Sequence, residues 1–355
     1  MSPAVDQSRA EEDAFVPARS IDDRRLLSFA AAAWPDRQPN DRILSSWWRR
    51  AEPGCAVAAV EPATGAMTGI CAVRPAEWIV DGSPVSAVAI CEWYVLPRHA
   101  GKGLGKRMAR HLARPGQLVY AFSISDAAIA NFKKLGWKGP CGSSLMVLPL
   151  PALASLPLRL VGASIGIDLH VRVLSGGDGL DDLAGDLDAI EARRAGDASA
   201  RMRRGAAEWE WRLAVCGERT YHVCVASVAG EAAGYVVVRK MTRGSSRVLG
   251  RLDAAMITDL VAVDDDPVVL RALVARAVTI AARLRVVLAA MATTVGPHRK
   301  ALAACGFLSS GLPVLGPILK RRAPAFMWSP DGPGHLIDPD DVTFTFADSD
   351  VDLNL

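Results

Sequence analysis

The residues best suited to chemistry run from Glu92 to Leu112, EWYVLPRHAGKGLGKRMARHL. A strand rich in aromatic and β-branched residues reaches Pro97. Gly101, Gly103 and Gly105 then alternate with Lys102, Leu104 and Lys106, and a basic helix follows at once. Glycines let successive amide N–H groups turn inward with no Cβ in the way. The helix N-terminus adds partial positive charge. Lys102, Lys106 and Arg107 supply counter-charge at the rim. A pyrophosphate is the natural guest of such a turn. The spacing is neither G-x-x-x-x-G-K-[ST] nor G-x-G-x-x-G, so the chemistry rests on the strand, the glycines, the lysines and the helix together.

On the strand, Glu92 and Tyr94 share one face because side chains alternate, and Trp93 takes the other. Glu92 is the candidate base; its competing role is a structural carboxylate paired with a neighbouring cation. Tyr94 is a candidate auxiliary acid or a packed ring with one hydrogen bond. A later helix ends in Phe132-Lys133-Lys134-Leu135-Gly136-Trp137.

These segments resemble the GCN5-related N-acetyltransferase (GNAT) superfamily over residues 20–150. Val95-Leu96-Pro97 matches the family's V-x-P turn, Gly103 and Gly105 its paired glycines, and 132–137 its Y-x-k-l-G-F-like helix end. The resemblance implies an acyl-CoA co-substrate, with Trp93, Val95, Ala100, Gly101, Lys102, Gly103, Leu104, Gly105, Lys106, Ser125 and Phe132 as its expected binding residues. Backbone amides near Trp93–Val95 would polarise the thioester carbonyl, and Glu92 would take the proton of an attacking amine, directly or through water. Three positions depart from the pattern. Ala100 stands at the family's Gln/Arg, and Arg98 fits only with the glycines shifted to Gly101 and Gly103. Ser125 stands at the helix asparagine. Phe132 stands at the tyrosine that protonates the leaving thiolate in many members, and phenylalanine has no proton to give.

The expected elements position these residues as a mixed α/β unit. A helix spans 21–50, strands span 56–60, 67–74 and 85–95, and the basic helix spans 101–114. A strand at 118–123, a helix at 125–135 and a final strand at 143–148 complete it. The pattern then returns. Glu208-Trp209-Glu210-Trp211 follows Ser46-Trp47-Trp48, with 164 residues from Trp47 to Trp211. The separation is 165 from Gly69 to Gly234, 167 from Glu92 to Asp259 and 170 from Gly136 to Gly306. A slowly drifting offset is the mark of a duplication with small insertions; the alternative is two unrelated α/β halves. The expected division is a loose terminus at 1–14, a first GNAT-like domain at 15–150 and a connector at 151–205. A degenerate second domain at 206–325 and an acidic tail at 326–355 follow. Each domain is expected to be a mixed, mostly antiparallel sheet flanked by helices. In the second half the loop reads Asp264-Asp265-Asp266-Pro267, whose carboxylates repel a pyrophosphate. Asp259, matching Glu92, reads as a relic or structural group. The tryptophans read as core. Asp348, Asp350 and Asp352 read as solvated charge.

Composition agrees with a folded chain. The 355 residues are 50% hydrophobic and 22% charged, and 41 basic against 38 acidic residues leave +3. That is too mild for a nucleic-acid platform. Seven cysteines without a C-x-x-C pair suggest reduced thiols in the cytoplasm, and the histidine spacing offers no metal site. The N-terminus lacks signal-peptide features, and no apolar run spans a bilayer. The expected function is an acetyl-CoA- or other acyl-CoA-dependent N-acyltransferase acting on an amine, with neither metal nor nucleic acid. The rivals are a non-catalytic acyl-CoA-binding regulatory module and an aminoacyl-tRNA-dependent transferase of the tandem-GNAT type.

Overall fold

The computed structural model describes residues 14–35, 55–122, 124–150, 166–175, 179–194, 200–216, 220–241, 253–310, 325–345 and 347. Trp47, Trp48, Asp348, Asp350 and Asp352 lie outside the described residues.

The first half runs β1 (Ala14–Pro17), α1 (Asp23–Ala33), β2 (Ala56–Val60), β3 (Met67–Val80), β4 (Ser83–Val95), α2 (Leu104–Leu112), β5 (Leu118–Phe122), α3 (Asp126–Lys134), β6 (Lys138–Gly142) and β7 (Ser144–Pro149). The chain continues through β8 (Ile167–Ser175), α4 (Asp181–Arg193), β9 (Ala200–Met202) and α5 (Ala206–Cys216). The second half follows with β10 (Thr220–Val228), β11 (Glu231–Met241), β12 (Ala254–Ala262), α6 (Pro267–Arg283), β13 (Leu288–Thr293), α7 (Gly296–Ala304) and β14 (Leu308–Ser309). The last strands are β15 (Ala325–Trp328) and β16 (Val342–Thr343). The fold is mixed α/β.

Among the described residues, one sheet is ordered β1-β2-β3-β4-β5-β15-β6, with β9 joined to β3 and β16 to β9. The other is ordered β14-β7-β13-β12-β11-β10-β8. In each, three antiparallel strands lead to a parallel pair, β4 with β5 and β12 with β13; β16 also runs parallel to β9. A helix, α2 or α6, connects the strands of β4–β5 and of β12–β13, because a parallel crossover is too long for a hairpin. Both third strands carry a bulge. Ala72 faces Glu92 while Val73 faces Ile90, which leaves Cys91 extra; Val237 faces Asp259 while Val238 faces Ile257, which leaves Thr258 extra.

The final strands cross between the sheets. The strand expected to complete the first unit, β7, instead lies between β13 and β14. β15, from the segment expected to be an acidic tail, lies between β5 and β6. Its Phe326, Met327 and Trp328 are fully buried, as is Phe344. The reason is hydrophobic: AFMW is four apolar residues that a solvated tail would leave in water. The segment expected as a connector likewise supplies β8, the outer strand of the second sheet, and β9, an addition to the first.

A shared core lies between the sheets, where Trp78, Leu118, Tyr120 and Phe326 join Leu145, Val147, Met256 and Leu288. On the first sheet's far side, α2 and α3 bury Leu104, Met108, Leu112 and Phe132 against Val73, Val88 and Ile90. α1 packs Leu26 and Phe29 on Ile70 and Ala72, the opposite face of β3. The described helix α1 is shorter than the span expected for it; its N-cap Asp22 accepts from Arg25 N at 2.9 Å. No helix among the described residues is long and apolar enough to cross a membrane.

Candidate functional site

The site is built where β4 leaves its parallel neighbour. The β4–β5 ladder ends at Ile90–Ala121, although β4 stays paired to β3 as far as Gly69–Val95. The Cys91 bulge sits at that point, and a bulge bends the strand that carries it. Residues 91–95 therefore run past the end of the ladder with β5, paired to β3 alone among the described strands. Trp93 and Val95 pack on the α2–α3 side of the sheet, and Tyr94 packs on the α1 side. Tyr94 meets Phe29 at 6.3 Å and Trp34 at 5.7 Å between ring centroids. Glu92 is buried, on the face opposite Trp93.

Beyond Leu96 a 3-10 turn at Pro97–His99 delivers the chain to the glycines. Gly101 and Gly103 have φ of +81° and +73°, the left-handed region where a Cβ is unfavourable. Gly103 is the N-cap of α2 and offers no side-chain cap, so the first amides of that helix are not met by a capping group of their own. Ala100, Lys102 and Lys106 are exposed at the rim, and Leu104 is buried beneath it. Arg107 Nη1 donates to the Lys102 carbonyl at 3.1 Å, holding the turn.

Gly105 answers to a different need. A Cβ there would stand 2.7 Å from Trp93 Nε1 and 3.1 Å from the ring carbons beside it. The indole thus lies against the first turn of α2. Its other neighbour is Phe132 at 4.8 Å, and Phe132 in turn meets Trp137 at 4.1 Å. Trp93 Nε1 is buried and has no hydrogen-bond partner among the described residues. Phe132 is the buried centre of this ring stack. Ser125 caps α3, accepting from Ala128 N at 3.2 Å.

The structure thus brings Trp93, Val95, Gly103, Leu104, Gly105 and Phe132 to one side of the first sheet, with Lys102 and Lys106 at the loop rim. Glu92 and Tyr94 stand across the strand. The fit to a CoA-type molecule rests on the glycine cradle and on one orphaned buried donor beside it. A polar network not foreseen from the sequence adjoins Glu92's face. Arg74, on β3, donates to Glu208 at 2.9 Å, and Arg212 donates to the same oxygen at 2.8 Å. Arg74 also lies over the Trp211 ring at 5.3 Å. The sequence signal for it was Glu208 itself, placed among tryptophans on a helix.

Residues 20–137 match the model of the acetyltransferase (GNAT) family. That match covers about a third of the chain. Solved structures extend the likeness of fold to most of the chain. A GCN5-related N-acetyltransferase from Kribbella flavida is 16% identical, with 90% of this chain and 71% of that one covered at a TM-score of 0.53. A probable N-acyltransferase from Enterococcus faecalis is 10% identical, with 90% and 71% covered at 0.56. N-myristoyltransferase of Saccharomyces cerevisiae, solved with myristoyl-CoA and inhibitors, is 12% identical, with 89% and 79% covered at 0.55. No curated protein matches the chain by sequence.

The corresponding place in the second half is built otherwise. Asp264 and Asp265 adopt positive φ, and Asp266 caps α6 by accepting from Val268 N at 2.7 Å. Asp259 is fully buried. It accepts from Arg204 at 2.6 Å, Tyr235 at 2.8 Å and Thr345 at 3.0 Å. Burial and the adjacent Asp259 carboxylate push the Tyr235 hydroxyl well above its ordinary range. Such a fully partnered carboxylate holds structure together. His298 is also buried there, and its pKa is lowered to about 3 by burial and by the nearby Arg194 and Arg204.

Proposed function

We propose that the protein is an acyl-CoA-dependent N-acyltransferase, with acetyl the expected group and an amine the acceptor. The observation that carries this reading is the end of the β4–β5 ladder at Ile90–Ala121, shortly before a glycine-lined helix start. The diphosphate of the co-substrate would lie on the amides of 101–106, with Lys102 and Lys106 balancing charge. Its acyl arm would run beside Trp93–Val95, where strand amides polarise the thioester carbonyl. The amine would approach from the face of Glu92 and Tyr94, and Glu92 would accept its proton. The C–S bond then breaks and the thiolate leaves, taking its proton from solvent or another group because Phe132 offers none.

This assigns acyl-CoA binding to the half spanning 15–150. The half spanning 206–325 is proposed as a degenerate duplicate that walls the cleft; the matching bulges at Cys91 and Thr258 support common descent. A cytoplasmic location suits such a co-substrate. Phe132 also favours a second reading, an acyl-CoA-binding module without chemistry.

One set of measurements separates them. Calorimetry with acetyl-CoA is expected to show binding that Gly103→Asp weakens more than 100-fold, since a carboxylate enters the anion cradle at positive φ. Thiol release with an amine panel is expected to fall about 100-fold or more in Glu92→Gln, within the usual contribution of a general base. Binding without turnover selects the module. Absence of acyl-CoA binding refutes both.

A further inference from the structure

We infer that β8 is a self-pairing edge: two copies of this chain join antiparallel along Ile167–Val173, with His170 on the twofold axis. This edge lies outside the acyl-CoA site proposed above and does not depend on it. β8 is the last strand of the second sheet among the described residues, with β10 on one side only. It keeps an unbroken register with β10 from Ile167 to Ser175, so its outer edge is nine residues long and carries no bulge.

The other outer strands are guarded. An open edge offers unpaired N–H and C=O groups, and folds usually blunt it by brevity, proline, lysine or a bulge. β1 has four residues and ends in Pro17, β6 carries Pro140, and β14 and β16 have two residues each. β8, IDLHVRVLS, holds no proline, glycine or lysine. Its charges are Asp168 and Arg172, one of each sign, and both are exposed.

The strand is complementary to itself. Antiparallel pairing about His170 sets Asp168 opposite Arg172 of the second copy, Leu169 opposite Val171 and Ile167 opposite Val173. Opposite charges and apolar pairs directly across a ladder each stabilise it. The faces match as well. Ile167, Leu169 and Val171 pack against the core beneath α6, and Val173 continues their row at 54% exposure. An axis at Val171 would instead set His170 against Arg172 and Asp168 against the buried Leu174. An axis between two residues would oppose apolar to polar side chains. Hydrogen-bonded pairs alternate and exchange two bonds each, so pairing over 167–173 forms about six to eight. Each copy offers this edge once, so the assembly closes at two.

Sedimentation velocity over a concentration series is expected to show a monomer–dimer equilibrium, with dimer present at about 100 µM. Arg172→Asp and Asp168→Arg each set like charges across the ladder twice. Each is expected to raise the dissociation constant about tenfold or more. An equimolar mixture of the two variants is expected to dimerise as the unchanged protein does, because every acid then faces a base. Both positions are exposed, so circular dichroism and thermal melting of the dilute variants are expected to match the unchanged protein. Hydrogen exchange is expected to slow within 167–173 as the concentration rises. A monomer at every concentration overturns the inference and leaves the edge to a strand from a different protein. A dimer that survives both charge reversals overturns it too, since another surface then holds the copies together. A mixture no tighter than its separate components contradicts the His170-centred register, and assemblies larger than two contradict the twofold closure.

Discussion

Truncating Phe326 to alanine tests whether the first sheet depends on the chain's far end. Phe326 is fully buried in β15, between β5 and β6. Its ring lies 5.0 Å from Phe344, 5.3 Å from Trp328, 5.5 Å from Trp78 and 5.7 Å from Tyr120. Phe-to-Ala changes in cores cost about 3–5 kcal/mol. Four aromatic neighbours put this one toward the upper end. Whole-protein stabilities run to about 5–15 kcal/mol, so a single ring here is a large share. Urea unfolding followed by tryptophan fluorescence and by circular dichroism measures it. With a slope of about 3 kcal/mol per molar, the midpoint falls by more than about 1 M. The loss is expected in one transition seen equally by both probes, because the shared core joins the two sheets. A fragment ending at residue 150 lacks β15 altogether and leaves β7 without its own sheet, so it is expected to stay unfolded. A shift below about 1 kcal/mol in Phe326→Ala, or a cooperatively folding 1–150 fragment that binds acetyl-CoA, refutes the reasoning.

Two further outcomes concern the second half. His298 is neutral in the fold with a pKa near 3, whereas the unfolded chain takes up its proton near pH 6.5. Its contribution is fully present above pH 6.5 and is lost as the pH falls toward 3, by about 1.4 kcal/mol per pH unit within that window. His298→Gln is expected to flatten the profile of urea midpoints between pH 7 and 4; an unchanged slope contradicts the assignment. Arg204→Met leaves the Asp259 carboxylate buried without its 2.6 Å cation and is expected to cost about 3–5 kcal/mol in chemical denaturation. The double variant Arg204→Met with Asp259→Leu is expected to recover most of that, and a double variant as unstable as the single one counts against the paired-charge account.

What could be read along the chain was local. The loop from Pro97 to Lys106 was legible because glycine alternation, a preceding strand and a following helix are short-range signals. Trp93 and Val95 opposite Tyr94 was legible because strand alternation has period two. The family likeness rode on the same segments, and residues 20–137 carry it. The helix at Ser125–Leu135 was equally plain, with Ser125 in the role of its N-cap.

What only the tertiary structure decided is long-range. Strict alternation would put Ile90 on Glu92's face. The Cys91 bulge instead sends Ile90 to the side of Trp93 and Val95, because an extra residue reverses parity. The positions of β7 and β15 have the same origin. Four to six apolar residues specify that a strand must be covered, yet nothing in them names the partner, which the rest of the fold selects through burial and edge pairing. The orphaned Trp93 N–H is of this kind too. A tryptophan beside a glycine loop is visible in the sequence; that its donor meets no acceptor among the described residues, and that its ring fills the space a Gly105 Cβ would take, depends on where α2 and α3 settle against β4.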